Sequence, residues 1–148
     1  MLTRFEADAT RTLRDPWAAR DDYIAVILDR SPASRASFLE RHAKRALSED
    51  EAVYTMRLLE MQRHAMQMYT SCGWFFDEIS GIETVQVMLY AARVMQLAAL
   101  TMSESLESDF TGALAAAQSN LPDIGAGDAV YERFVGPSVV NLPRAGAH

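Results

Sequence analysis

The stretch from Val85 to Met102, VQVMLYAARVMQLAALTM, constrains this chain more than any other. Wound at 100° per residue, the helix of about 82 to 101 that contains it gathers Glu83, Gln86, Tyr90, Arg93 and Gln96 on an arc of roughly 140°, leaving almost all the rest of the circumference apolar. Such a helix needs other elements covering most of its surface, so the spacing predicts an inner helix of a helical bundle. Its polar arc reads as a solvent-exposed side, with the wall of a polar interface as the alternative. Gln86, Arg93 and Gln96 interrupt the run before it reaches the roughly 18 uncharged residues of a membrane span.

Helix start signals punctuate the remaining sequence. Leu2, Phe5, Ala9 and Leu13 recur at helical spacing. Asp15-Pro16 pairs an N-cap carboxylate with a proline whose missing N–H costs nothing at the first helical position, and a helix over Trp17 to Leu28 is expected after it. Ser31-Pro32 repeats the device, opening a short helix with Phe38, Leu39 and His42 on one side. Ser48-x-x-Glu51 is a capping box before a helix over about residues 49 to 71, and Ser80-x-x-Glu83 a second one before a helix over about 82 to 101. A further helix is expected from Leu106 to Gln118, a loop from Asn120 to Gly127, and a short helix capped by Asp128 and stopped at Gly136-Pro137. Residues 137–148 read as an extended or disordered tail. PSVVNL is a weak strand candidate, and no alternating pattern of useful length accompanies it. The fold class is therefore all-α, a bundle of about five to six helices forming one domain over residues 1–148.

Charge narrows the partners. The net charge is −6, and its imbalance lies in the second half, where Arg93, Arg133 and Arg144 face nine carboxylates. An acidic surface repels phosphate backbones, so no nucleic-acid partner is expected. Arg35, Arg41, Lys44 and Arg45 are interspersed with apolar residues and read as a solvated face. Met1 is not followed by a signal-peptide core, and Cys72 is the single cysteine. Both fit a cytoplasmic setting, without a membrane partner or an internal disulfide.

Few residues carry chemistry at a working spacing. If the segment is helical, Cys72 and its nearest base, His64, lie about 12 Å apart along the axis, outside hydrogen-bond reach. Cys72 then reads as a small buried residue at a helix end. Glu60 and His64 stand four residues apart, but di-iron bundles pair Glu-x-x-His motifs on two helices, and no second copy occurs. They read as a structural pair, and His42 and His148 have no ligand-spaced partners. Met56, Met61, Met66 and Met68 read as core filler. Asp77 and Glu78 are neighbours on one short loop, a poor arrangement for two carboxyl groups that must face each other across a glycosidic bond. No catalytic residue, metal site or cofactor is expected in this chain.

YTSCGWFFDEISGIE, Tyr69 to Glu83, places Trp74, Phe75 and Phe76 with two carboxylates at a turn between two long helices. Phe75 and Phe76 read either as plugs of the core or, with Trp74, as a surface made for a ligand or neighbouring domain. The block SCGWFFDEISGIET, with DPWAARDDYIAVILDR, SNLP and YERFVGPSVV in the same order, resembles a bacterial domain of unknown function found behind the catalytic barrel of proteins similar to glycoside hydrolase family 57. That resemblance covers most of the chain. It implies a helical C-terminal region packed against a distorted β/α barrel, in retaining enzymes that hydrolyse or transfer α-glucans with carboxylates belonging to the barrel.

No barrel is present here, so the resemblance implies the C-terminal piece of a larger enzyme, with the missing N-terminal barrel as its partner and an α-glucan as its ligand. Trp74, Phe75, Phe76, Asp77 and Glu78 are then the cleft-lining residues. An exposed docking face would also promote self-association of the piece. The alternative is a helical protein-interaction module with no carbohydrate role.

Overall fold

The structure, a computed structural model, describes residues 2–103 and 105–139, with only the backbone of residues 2 and 3. The chain is all-α, and the described residues contain no strand, only isolated bridges pairing Leu13 with Ala43 and Gln118 with Ala126. Six α-helical segments have seven residues or more: α1 (Leu2–Ala9), α2 (Pro16–Asp22), α4 (Pro32–His42), α5 (Glu49–Gln67), α7 (Ile82–Met102) and α8 (Glu107–Leu114). Three are single turns: α3 (Ile24–Leu28), α6 (Cys72–Phe75) and α9 (Gly127–Val130). Two compact units make up the chain, Met1–Arg63 and His64–His148.

In the first unit the start signals work as the sequence predicts. Asp15 Oδ1 accepts from the N–H groups of Trp17 and Ala18 at 2.9 and 3.0 Å, and Ser31 Oγ from that of Ser34 at 3.2 Å. The capping box at α5 is reciprocal: the Glu51 N–H donates to Ser48 Oγ at 3.3 Å and the Ser48 N–H to Glu51 Oε2 at 3.0 Å. Arg45 adds a fork on the same carboxylate, at 2.6 and 2.8 Å. The helix expected over Trp17 to Leu28 breaks at Tyr23, whose N–H tightens onto the Arg20 carbonyl three residues back at 3.3 Å. Phe5, Leu13, Tyr23, Val26, Phe38, Leu58, Leu59 and Met61 form the buried set. Rings meet edge-on there, Phe5 with the half-buried Trp17 at 5.3 Å and Tyr23 with Phe38 at 5.8 Å. The Arg-rich face is solvated as expected, although Lys44 and Arg45 follow α4 rather than belong to it.

The second unit centres on Met88, Ala92 and Met95 of α7 with Val130, Tyr131 and Val135, flanked by Leu106, Phe110, Leu114 and Ile124. Tyr131 opens a π-helical turn (Tyr131–Val135) followed by a 3₁₀ turn (Gly136–Ser138). Its hydroxyl donates to Glu107 Oε1 at 2.9 Å, and burial foremost, then this carboxylate, pushes its pKa well above the ordinary tyrosine value.

Several sequence expectations are corrected here. Helix α8 stops at Leu114 because the N–H groups of Ala116 and Ala117 turn back onto Ala113 and Leu114, three residues behind. Asp128 lies inside α9 and does not cap it; the Gly127 N–H is held by the Ala117 carbonyl at 2.9 Å, so the turn starts after Ala126. Of the tail, Pro137 and Ser138 are in the 3₁₀ turn rather than extended. Residues 140–148, which include Val140, Asn141 and Leu142 of PSVVNL and also His148, lie outside the described residues. Among the methionines read as filler, Met66 is exposed and only Met61 is fully buried.

Helix α7 carries the burial its composition demands, with Met88, Ala91, Ala92, Val94, Met95, Leu97, Ala98 and Met102 buried. On its polar arc Gln86 and Arg93 are exposed, and Arg93 donates to Gln96 Oε1 at 3.2 Å. By length and mean hydropathy, 1.3 over the best window, α7 alone among the described helices is long and apolar enough to cross a membrane. Yet 44% of that window is buried inside the structure, and a core helix meets the same test.

Candidate functional site

The aromatic turn is built on α6, a single turn seated on α7. Gly73 makes the seat: a Cβ there would lie 2.8 Å from Val87 Cγ2, so only glycine lets the two elements close to this distance. Thr84 fastens the contact by donating to the Gly73 carbonyl at 3.2 Å. With the glycine side pressed onto α7, the bulky neighbours turn outward. Trp74 and Phe75 are 73% and 72% exposed and Phe76 51%. Phe75 and Phe76 meet edge-on at 5.2 Å, and Tyr69, Met66 and Ile82 are exposed as well. The reading of Phe75 and Phe76 as core plugs is thereby overturned. Cys72, expected to be buried, is exposed at the start of α6.

The two carboxylates part company. Asp77 is exposed beside the rings. Glu78 is a latch. Its Oε1 accepts from the Ser80 N–H at 2.8 Å and the Ser119 hydroxyl at 2.7 Å, and its Oε2 from the Asn120 N–H at 2.8 Å. Asn120 Nδ2 also donates to the Asp77 carbonyl. Ser119 foremost, then Ser80 and the Asn120 N–H, hold the Glu78 pKa down at about 2. Because Glu78 claims the Ser80 N–H, the expected Ser80 capping box does not form; α7 starts from Gly81, with no side-chain cap. Ser119, Asn120, Tyr69 and Ile82 belong to this site and were not singled out from the sequence. A loop 41 residues away in sequence reaching back to a carboxylate leaves no local pattern.

An expected pH dependence follows from the latch. The folded pKa lies below the ordinary carboxylate value, so this contribution is fully present above about pH 4.5 and is lost as the pH falls through about 2. The protection of the Ser80 and Asn120 amides against exchange, taken relative to the intrinsic rate at each pH, should therefore fall over that acid window. In Glu78→Gln, which replaces charge-assisted bonds by neutral ones, the same amides should exchange severalfold faster at neutral pH. Unchanged exchange in the variant would dismiss the latch.

The other candidates for chemistry have partners of their own. Glu60 takes Arg63 at 3.1 Å and Arg30 at 3.4 Å, and His64 stacks on Tyr90 with centroids 5.9 Å apart. No group of three metal-binding side chains occurs among the described residues. The turn thus presents an exposed aromatic shelf beside the exposed Asp77, braced by the Gly73 seat and the Glu78 latch.

Comparison with known proteins returns one family model, described as a domain of unknown function (DUF3536), matching residues 1–148. No curated protein and no solved structure matches the chain.

Proposed function

The chain belongs to the DUF3536 family of domains of unknown function, and we propose that it serves as a non-catalytic helical domain lending its aromatic turn to the cleft rim of a family 57-like glycoside hydrolase or glucanotransferase. The observation that carries this reading is the outward orientation of Trp74 and Phe75 on a turn braced by Gly73 and Glu78. A pyranose ring has an apolar C–H face that stacks on an aromatic ring and a rim of hydroxyls that donate to carboxylates, here Asp77. A water-exposed indole and phenyl are costly unless something covers them. An α-glucan held between the turn and a β/α barrel would cover them. In this proposal the barrel supplies the reacting carboxylates, and the setting is cytoplasmic.

The test uses a polypeptide that joins this domain to its barrel. Trp74→Ala should lower kcat/KM on maltooligosaccharides about tenfold, the order expected for a lost aromatic stacking partner, while the far-ultraviolet circular dichroism stays unchanged. The domain alone should turn over neither maltooligosaccharides nor starch. Full activity in Trp74→Ala, or turnover by the pure domain, would end this reading.

A further inference from the structure

Val87, against which Gly73 seats the aromatic turn, also lines a shallow groove of about 440 Å³ between the end of α5 and the first half of α7. Cys72, the first residue of α6, lines it too, so the groove adjoins the turn that carries Trp74 and Phe75. Its volume falls within the range of small-molecule sites, about 300–1,000 Å³. Ile82, 79% exposed, and Val87 supply apolar surface. Gln86 and Glu83 line the same groove, as does Thr70, and they bring an amide, a carboxylate and a hydroxyl. Thr70 and Gln86 are exposed and Glu83 is half-buried, and none of the three side chains makes a hydrogen bond among the described residues.

That set selects a ligand by charge and by hydrogen-bonding sense. From His64 to Tyr90 the chain carries Asp77, Glu78 and Glu83 and neither lysine nor arginine, so a phosphate- or carboxylate-bearing ligand would meet no counter-charge. A cation would satisfy Glu83 but brings no acceptor for the Gln86 amide N–H groups. A peptide added as a strand needs a sheet edge, and the described residues contain no strand. A docking amphipathic helix would lay apolar side chains over Thr70, Glu83 and Gln86 and leave them without partners. A sugar ring meets each demand, with a C–H face for Ile82 and Val87 and hydroxyls that both donate and accept.

We propose that this groove is a further subsite for the glucan that crosses the aromatic turn, one pyranose unit lying over Ile82 and Val87 with its hydroxyls donating to the Glu83 carboxylate and exchanging hydrogen bonds with Gln86 and Thr70. The inference rests on the carbohydrate reading and adds to it a preference for length. A glucan long enough to hold turn and groove together gains over a short one, because its second contact is made within one complex.

The experiment titrates the full ¹⁵N-labelled chain with maltose and with maltoheptaose. Maltoheptaose should shift the backbone amides of Trp74 and Phe75 at the turn and those of Thr70, Glu83 and Gln86 at the groove, and should bind about tenfold more tightly than maltose. Gln86→Ala and Thr70→Val each remove one polar partner at an exposed position. Each should lower affinity for maltoheptaose about fivefold, with Tm unchanged and the shifts at Trp74 and Phe75 retained. Shifts at the turn with none at the groove would overturn the subsite and leave the carbohydrate reading standing. Shifts at the groove alone, or at neither place, would end that reading and this inference with it. Undiminished affinity in both variants, equal binding of maltose and maltoheptaose, or the same groove shifts with a blocked leucine-rich peptide would each overturn the subsite.

Discussion

Phe38→Ala should remove about 3–5 kcal/mol of stability, the cost of deleting a large aromatic side chain from a packed core. Phe38 is 0% exposed, carries Tyr23 edge-on at 5.8 Å and lies 4.7 Å from the His42 ring. Truncation empties the middle of that stack and loosens His42, whose Nε2 stands 2.8 Å from Asp22 Oδ2 and helps keep the Asp22 pKa low. Urea unfolding followed by circular dichroism measures the loss. A cost below about 1 kcal/mol, the range of a surface change, would mean that Phe38 does not organise the first unit.

Gly127→Ala should cost about 1–3 kcal/mol although it adds a single carbon. A Cβ at this position would sit 2.6 Å from the Leu114 carbonyl oxygen. A backbone oxygen cannot swing aside as a side chain can, so α8 and α9 must separate. The hydrogen bond from the Gly127 N–H to the Ala117 carbonyl, 2.9 Å, is then expected to lengthen. Amide exchange in residues 114–131 reads the effect directly, and a variant as stable as the parent would show that this close approach is dispensable.

Legibility from sequence followed the range over which each interaction acts. Asp15-Pro16, Ser31-Pro32 and Ser48-x-x-Glu51 are local devices, and each starts its helix where the sequence places it. The apolar girth of α7 was legible for the same reason, since burial follows composition along one element. Ser80-x-x-Glu83 carries the same local pattern and fails, because Glu78, two residues upstream, competes for the Ser80 N–H with a charged oxygen. Nothing in a capping motif registers that competitor.

The aromatic turn was legible as a place but not as an orientation. Whether Phe75 and Phe76 pointed in or out depended on the fit of Gly73 against Val87, a contact between two elements. Glu78 was marked as a ligand contact, and the bonds it accepts from Ser119 and Asn120 come from a loop far along the chain.

The placement of the two tryptophans has a practical consequence. Trp17 belongs to the first unit, half-buried, 5.3 Å from the Phe5 ring and under the Arg20 guanidinium at 5.0 Å. Trp74 belongs to the second and stands in water. Each half of the molecule thus carries its own intrinsic fluorophore. Trp17→Phe leaves a red-shifted, readily quenched emission that reports whatever comes to rest on the aromatic shelf, and Trp74→Phe leaves one that reports only the integrity of the amino-terminal helices.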